Sequence, residues 1–167
     1  MSAIFLMFYV VLIIVFPVYE MVDPSGDYLI GTNSYVLTDP VREEAYATID
    51  TNRRIKIQMW YPSDDVKGYE LAPWLEDGRT VARALATDMG LPSFIVNHTE
   101  LINSHSYESA PISDEQNQYP VVVISHGWRG FRNVHSDLAE ELASAGYIVV
   151  GIDHTYGSVA TVFSENE

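Results

Sequence analysis

The stretch from Val121 to Ile152 limits the folds open to this chain more than any other. Val121-Val-Val-Ile-Ser125 is a short run apolar on both faces, the pattern of a parallel strand covered by helices on both sides, and Tyr119-Pro120 sits ahead of it as an entry signal. His126-Gly-Trp-Arg-Gly130 follows as a turn. Asn133 or Ser136 can then cap a helix with Asp137 and Glu140 in its first turn, Leu138, Leu142 and Ala145 on its inner face, and Gly146 at its end. Ile148-Val-Val-Gly-Ile152 is a second buried strand. Strand, turn, helix and strand make a βαβ unit, whose crossover is right-handed and whose ligands sit at the carboxyl ends of the strands. That edge collects His126, Gly127, Asp153 and His154, and the fold class it implies is α/β.

Upstream the pattern is less regular. Thr32 to Thr38 is a candidate first strand, and Arg54 to Tyr61 alternates polar and apolar residues as a half-buried second strand ended by Pro62. Between them Arg42 to Asp50 reads as a turn region. From Glu70 to Asn103, Trp74, Leu75, Val81, Leu85 and Met89 recur at helical spacing, with Gly90-Leu-Pro92 as a stop, so a helical insertion is expected. Ser104 to Gln118 is polar, contains Pro111 and reads as a surface loop.

The run from Ala3 to Tyr19 carries no charge. As a helix it rises about 25 Å at about 1.5 Å per residue, just short of a hydrocarbon core of about 30 Å, and local thinning would let it span. Residues 1–21 are therefore expected to form a transmembrane or anchor helix, with a buried core helix and an uncleaved signal as the other readings. Pro24, Gly26 and Gly31 punctuate the linker expected over 22–30, leaving 31–167 as the folded domain. The first basic residue is Arg42, so the positive-inside rule gives no orientation and no basic n-region marks a secretory signal.

Nine basic against 23 acidic residues, a formal charge of -14, would repel a phosphate backbone and speak against nucleic-acid binding. The absence of cysteine removes disulfides, thiolate metal sites and thiol nucleophiles together.

Gly127 and Gly130 do not make a dinucleotide loop, because G-x-G-x-x-G needs glycine where Ser125 stands. Two readings remain level: the glycines permit a tight strand-to-helix turn, or they let backbone approach a reacting carbonyl and aim an N–H at the developing oxyanion. His126 and His154 end neighbouring strands, where a metal pair or a general base can be imagined. No third ligand and no H-E-x-x-H accompany them, which favours imidazoles bonded to turn backbone, and Asp153 reads as a turn or cap residue. No metal or other cofactor is expected. His98 and His105 read as solvated, and Asn97-His-Thr99 is an acceptor sequon that matters only in a eukaryotic secretory pathway.

Taken together, Ser125-His-Gly-Trp-Arg-Gly-Phe-Arg132, Ser136, Leu142-Ala-Ser-Ala-Gly-Tyr-Ile-Val149 and Asp153-His-Thr-Tyr-Gly-Ser158 resemble the N-terminal half of a platelet-activating factor acetylhydrolase-like lipase, a serine esterase of the α/β-hydrolase superfamily. Gly31-Thr, Asp39, Arg42, Glu43 and Arg54 through Trp60-Tyr-Pro62 resemble that family's opening hairpin. The resemblance implies that the Trp128 backbone N–H donates to the oxyanion hole, that Gly127 and Gly130 shape the loop, and that Phe131 and Arg132 support it. It also implies a Ser-His-Asp triad without metal, acting on phospholipid or other short-chain carboxylic esters. The nucleophile elbow G-x-S-x-G does not occur, and Ser125, Ser136, Ser144, Ser158 and Ser164 all lack its flanking glycines. The expectation is thus an incomplete α/β-hydrolase fold behind a membrane helix, the front part of a longer ester hydrolase, with no nucleophile in this chain. A catalytically inactive, membrane-anchored remnant or interaction protein is the alternative. In the superfamily's strand order Val121 to Ser125 lies beside the missing nucleophile strand, so an exposed, aggregation-prone edge is expected.

Overall fold

The computed structural model describes residues 5–7, 10, 18–47 and 51–163. Its strands are β1 (Leu29–Glu43), β2 (Asn52–Ser63), β3 (Leu71–Pro73), β4 (Asn103–Glu108), β5 (Val121–Ser125) and β6 (Ile148–Asp153), and its helices are α1 (Gly78–Asp88) and α2 (Ser136–Ser144). The strands form one mixed sheet in the order β3-β4-β1-β2-β6-β5. β1 and β2 are an antiparallel hairpin, β6 runs antiparallel to β2, and β5 lies parallel to β6 with Ser125 opposite Ile152. The βαβ unit read from the sequence is therefore present, with α2 as its crossover.

The core lies between α2 and the middle of the sheet. Ile30, Trp60, Val149, Ala139 and Ala143 form it, with Ile124 and Leu142 packed against them. A large apolar side chain taken fully out of water there is worth roughly 1.5–3 kcal/mol. Alanines on the helix let Trp60 fill the gap. Gly151 is required at this level, because a Cβ there would come within 2.8 Å of the Arg132 carbonyl and 3.0 Å of the Trp60 ring.

The structure corrects several expectations. β1 runs on to Glu43, into the region read as a turn, and Glu44 N–H still bonds the Thr51 carbonyl at 2.8 Å. Asp39 folds the strand's distal end, accepting from the Val41 and Arg42 amides and the Arg42 side chain, and Arg42 with these bonds holds its carboxyl near a pKa of about 2. The insertion is less helical than its spacing suggests: β3 precedes α1, two short 3-10 turns (Ser93–Ile95 and Asn97–Leu101) follow it, and β4 occupies the start of the expected loop. On α2, Leu138 and Ala145 are exposed, and Ser136, Ala139, Glu140, Ala143 and Ser144 face inward. The inner face is rotated because its neighbour is a polar strand: Ser106 Oγ–H on β4 donates to Glu140 at 2.5 Å. The cap also differs. His135 precedes the first turn, and Asn133 instead donates to Gln58 Oε1 at 2.6 Å.

β5 is an edge strand, and Val121 and Val123 are 60% and 59% exposed, so it is not covered on both faces by the described residues. The run 18–28, which includes most of the expected linker, is tied along α2: Ser25 and Gly26 amides bond Glu141 at 2.8 Å and Ser144 Oγ at 3.0 Å, and Tyr28 N–H bonds the Ser144 carbonyl at 3.0 Å. Of the apolar run 3–19, most lies outside the described residues. Among the described residues no helix is long and apolar enough to cross a membrane.

Candidate functional site

β5 and β6 end side by side, which brings the chain after Ser125 against the chain after Asp153. Gly127 to Gly130 form a turn closed by Gly130 N–H to the Gly127 carbonyl at 2.9 Å. Arg129, its third residue, has φ 61, so the turn is of the type that places a left-handed residue third. Glycine is the usual occupant there. Arg129 is held in place by its N–H bonding Gly157 O at 2.9 Å and by an ion pair with Asp88 of α1.

The two glycines of the turn have different reasons to be there. A Cβ on Gly130 would sit 2.9 Å from His126 Cβ and 3.1 Å from the Gly127 carbonyl, so the turn cannot close over any other residue without shifting. A Cβ on Gly127 would meet nothing within 4 Å. Space beside Gly127 is therefore open, and the Trp128 N–H, second in the turn, has no hydrogen-bond partner among the described residues. The Trp128 ring is 83% exposed.

The loop is carried by an ionic cluster whose centre, Arg132 and Asp153, is buried. Asp153, fully buried at the end of β6, accepts from the Arg132 amide at 2.7 Å and from its guanidinium at 2.6 Å. The other arm of Arg132 reaches Glu76 at 2.7 Å and Asp77 at 2.8 Å, and Lys56 on β2 pairs with Asp77 at 2.9 Å. Burial opposes the charge of Arg132, but the Asp153, Asp77 and Glu76 carboxylates more than offset it and hold the guanidinium above its ordinary pKa. Phe131 meanwhile packs with Leu75 and Val81 and sits edge-on to Trp74, centroids 6.3 Å apart. Phe131 and Arg132 thus anchor the loop to the segment around α1. Asp153, expected as a turn or cap residue, is instead the last residue of β6 and the buried anion that faces Arg132. Lys56, Glu76 and Asp77 gave no sequence signal, because only the fold brings them together.

His126 is buried and structural in its bonding. Its Nδ1–H donates to the Gly127 carbonyl at 2.6 Å, so Nε2 accepts, from Ser158 Oγ at 2.9 Å and weakly from the His154 amide at 3.4 Å. The His154 ring lies 5.2 Å away, and its Nε2 is 2.7 Å from Ser125 Oγ. Hydroxyl and imidazole at that distance could make a nucleophile and base, but the third group that would orient the imidazole is engaged elsewhere, since Asp153 is turned to Arg132. Among the described residues no three His, Asp or Glu side chains converge as metal ligands. Asn97 and His98 lie in the second 3-10 turn, and His105 is on β4, where its Nε2–H donates to the Met21 carbonyl at 3.1 Å.

With this geometry in view, similarity to known proteins can be placed. The sequence model of the family described as platelet-activating factor acetylhydrolase, isoform II, matches residues 13–167. The chain is 28% identical over 120 residues to platelet-activating factor acetylhydrolase of Cavia porcellus and 27% identical over 115 residues to that of Canis lupus familiaris; each match covers 68% of this chain and 26% of the relative. The chain thus spans about a quarter of the length of these curated relatives. Among solved structures, a ferulic acid esterase from Streptomyces cinnamoneus superposes with a TM-score of 0.72 at 25% identity, over 90% of this chain and 40% of that one.

Proposed function

We propose, given that this chain belongs to the platelet-activating factor acetylhydrolase, isoform II family of the α/β-hydrolase superfamily, that it supplies the oxyanion loop of a serine carboxylic-ester hydrolase. The observation that carries this reading is the Trp128 amide: unbonded, next to open space at Gly127, on a turn fixed from behind by Arg132 and Asp153. When a nucleophile adds to an ester carbonyl, negative charge gathers on the oxygen, and an N–H already aimed at it stabilises the transition state without reorganisation. The nucleophile, aspartate and histidine of the triad are proposed to follow this segment in the longer protein, since no G-x-S-x-G precedes Glu167. Phospholipids with short or oxidised acyl groups and related esters are the proposed substrates. The uncharged run 3–19 supports holding them and the enzyme at a membrane.

The test uses the reading frame extended past Glu167, assayed with a short-chain phospholipid ester. Proline is favoured at the second position of this turn, so Trp128→Pro deletes the N–H while keeping the loop. A loss of about 10²–10³ in kcat is expected, with Trp128→Ala, which keeps the N–H, near wild type. Equal rates for the proline and alanine variants would remove the oxyanion assignment. An extended frame with no elbow serine, or a natural stop, would favour an inactive remnant.

A further inference from the structure

β1 has an open edge of its own, on the side away from β2. β4 covers that side only at Ile30, Gly31 and Thr32, whereas the pairing with β2 continues without a bulge to Thr38. The Thr32 carbonyl points to the β4 side, where it accepts from the Ser109 amide at 2.9 Å. In an antiparallel pair the N–H and C=O of one residue face the same way, and the direction alternates along the strand. Ser34, Val36 and Thr38 therefore turn their backbone groups outward as well. The Ser34 N–H agrees, since it is met only by the side chain of its neighbour, Asn33 Oδ1 at 3.1 Å. Among the described residues nothing bonds the outward N–H and C=O of Val36 and Thr38.

This open stretch is closed at both ends. Thr32 is taken by β4, and the next outward position after Thr38 is Pro40, which has no N–H to give. Val36 is its midpoint. Edge strands are ordinarily guarded by charge, proline or a bulge, and from Asn33 to Thr38 there is none of these. Tyr35, Val36 and Leu37 are 47%, 40% and 46% exposed there. In a chain of net charge -14 the surface at large repels a second copy, and this uncharged stretch does not. A two-fold axis through Val36 sets Ser34 against Thr38 of a second copy and Val36 against its own equivalent, and each such pair exchanges two backbone hydrogen bonds. The same axis sets Tyr35 against Leu37. Behind them on β2, Ile57 and Ile55 stand opposite Tyr35 and Leu37, so an apolar stripe continues across both copies. The strand is its own complement.

We propose that the outer edge of β1 pairs with β1 of a second copy of this chain, antiparallel and with Val36 on the two-fold axis. The proposal is independent of the ester-hydrolase reading. The chain has no cysteine, so Val36→Cys gives each copy a single thiol. At the centre of such a pair the two Cα atoms are about 5.5 Å apart, within the reach of a disulfide. Val41, 87% exposed, lies beyond Pro40, and in this register it does not meet its own equivalent. Under mild oxidation Val36→Cys is expected to form the covalent dimer at least tenfold faster than Val41→Cys. Sedimentation velocity on the chain gives the second readout. Val36→Pro removes the outward N–H and no bond to β2, and should weaken the dimer at least tenfold; Val36→Thr, which keeps the shape and the N–H, should retain it. Val123→Lys, on the open edge of β5, should retain it too. Equal oxidation rates at positions 36 and 41, or a wild-type chain that stays monomeric, would overturn the proposal. So would a dimer that survives Val36→Pro and is lost in Val123→Lys, which places the pairing on β5. Should Val36→Pro not fold, the cysteine pair decides. Loss of the position 36 crosslink in the reading frame extended past Glu167 would give this edge to a later segment of the longer protein, and overturn the proposal as well.

Discussion

Two regions of this molecule bury charge, and they do so in opposite ways. Behind the Gly127–Gly130 turn, Arg132 and Lys56 meet Asp153, Asp77 and Glu76, and each side chain has an opposite charge within 3.0 Å. Under α2, Glu140 is equally inaccessible but has only neutral donors, the His105 amide at 3.0 Å and Ser106 Oγ at 2.5 Å, and its second oxygen is unpartnered. Desolvation is met by countercharge in direct contact in the first region and mainly by neutral hydrogen bonds in the second. The first should fail when a partner is removed; the second should relax when its charge is removed.

The largest effect is expected from Arg132→Met. It leaves Asp153 buried at the end of β6 without its cation, and breaking one side of such a pair costs about 3–5 kcal/mol. Urea unfolding would measure it. A loss under 1 kcal/mol would mean that the loop is carried by Phe131 and its apolar neighbours, and that the ionic cluster contributes little.

The contrast also shows what the sequence could convey. The unit from β5 to β6 was legible because its apolar runs have strand and helix lengths and are punctuated by Gly127, Gly130 and Gly146, the last at φ 94 where the helix must stop. β4 was not, because Asn-Ser-His-Ser-Tyr-Glu is polar and hydropathy assigns such a run to the surface. Its Ser104 and Ser106 are nonetheless buried, because each finds a partner inside: Ser106 donates to Glu140 and Ser104 to the Ala72 carbonyl. The same pairing turned α2 by one position from the face marked by Leu138 and Leu142. In the site, Gly127, Trp128 and Gly130 were named by motif, and Arg132 as support. Lys56, Glu76 and Asp77 lie far from that motif in the chain, and no spacing rule joins them.

Glu140→Gln probes the second region. Burial raises the Glu140 pKa above the ordinary carboxylate value, more than the Ser106 bond and the His105 charge lower it. The native state therefore favours the protonated acid, so this group's contribution is fully present below the unfolded carboxyl pKa and is lost as pH rises through the raised folded one. Glutamine stays neutral throughout. The variant should match wild type near pH 4 and exceed it by about 1 kcal/mol near pH 8. A variant less stable than wild type at pH 8 would show that the ionised carboxylate is what the serines require.

The smallest expected effect sharpens the comparison at the loop itself, where charge and backbone strain oppose one another. Arg129 at φ 61 is in a region glycine enters freely, and it is tied to Asp88 through a guanidinium that is itself more than half exposed. Arg129→Gly relieves the left-handed strain, worth about 1 kcal/mol, and gives up an ion pair worth about 0–1 kcal/mol at such exposure. It also adds chain entropy to the unfolded state, which costs about the same again. Stability should move by less than about 1 kcal/mol in either direction, unlike the loss at Arg132 three residues on. In the proposed longer enzyme the Trp128 amide should keep its proposed aim, because Gly130 still closes the turn and Arg132 still holds Asp153. A tenfold or greater fall in kcat with unchanged stability would show that the Arg129–Asp88 tie, and not the buried cluster, sets the direction of that N–H.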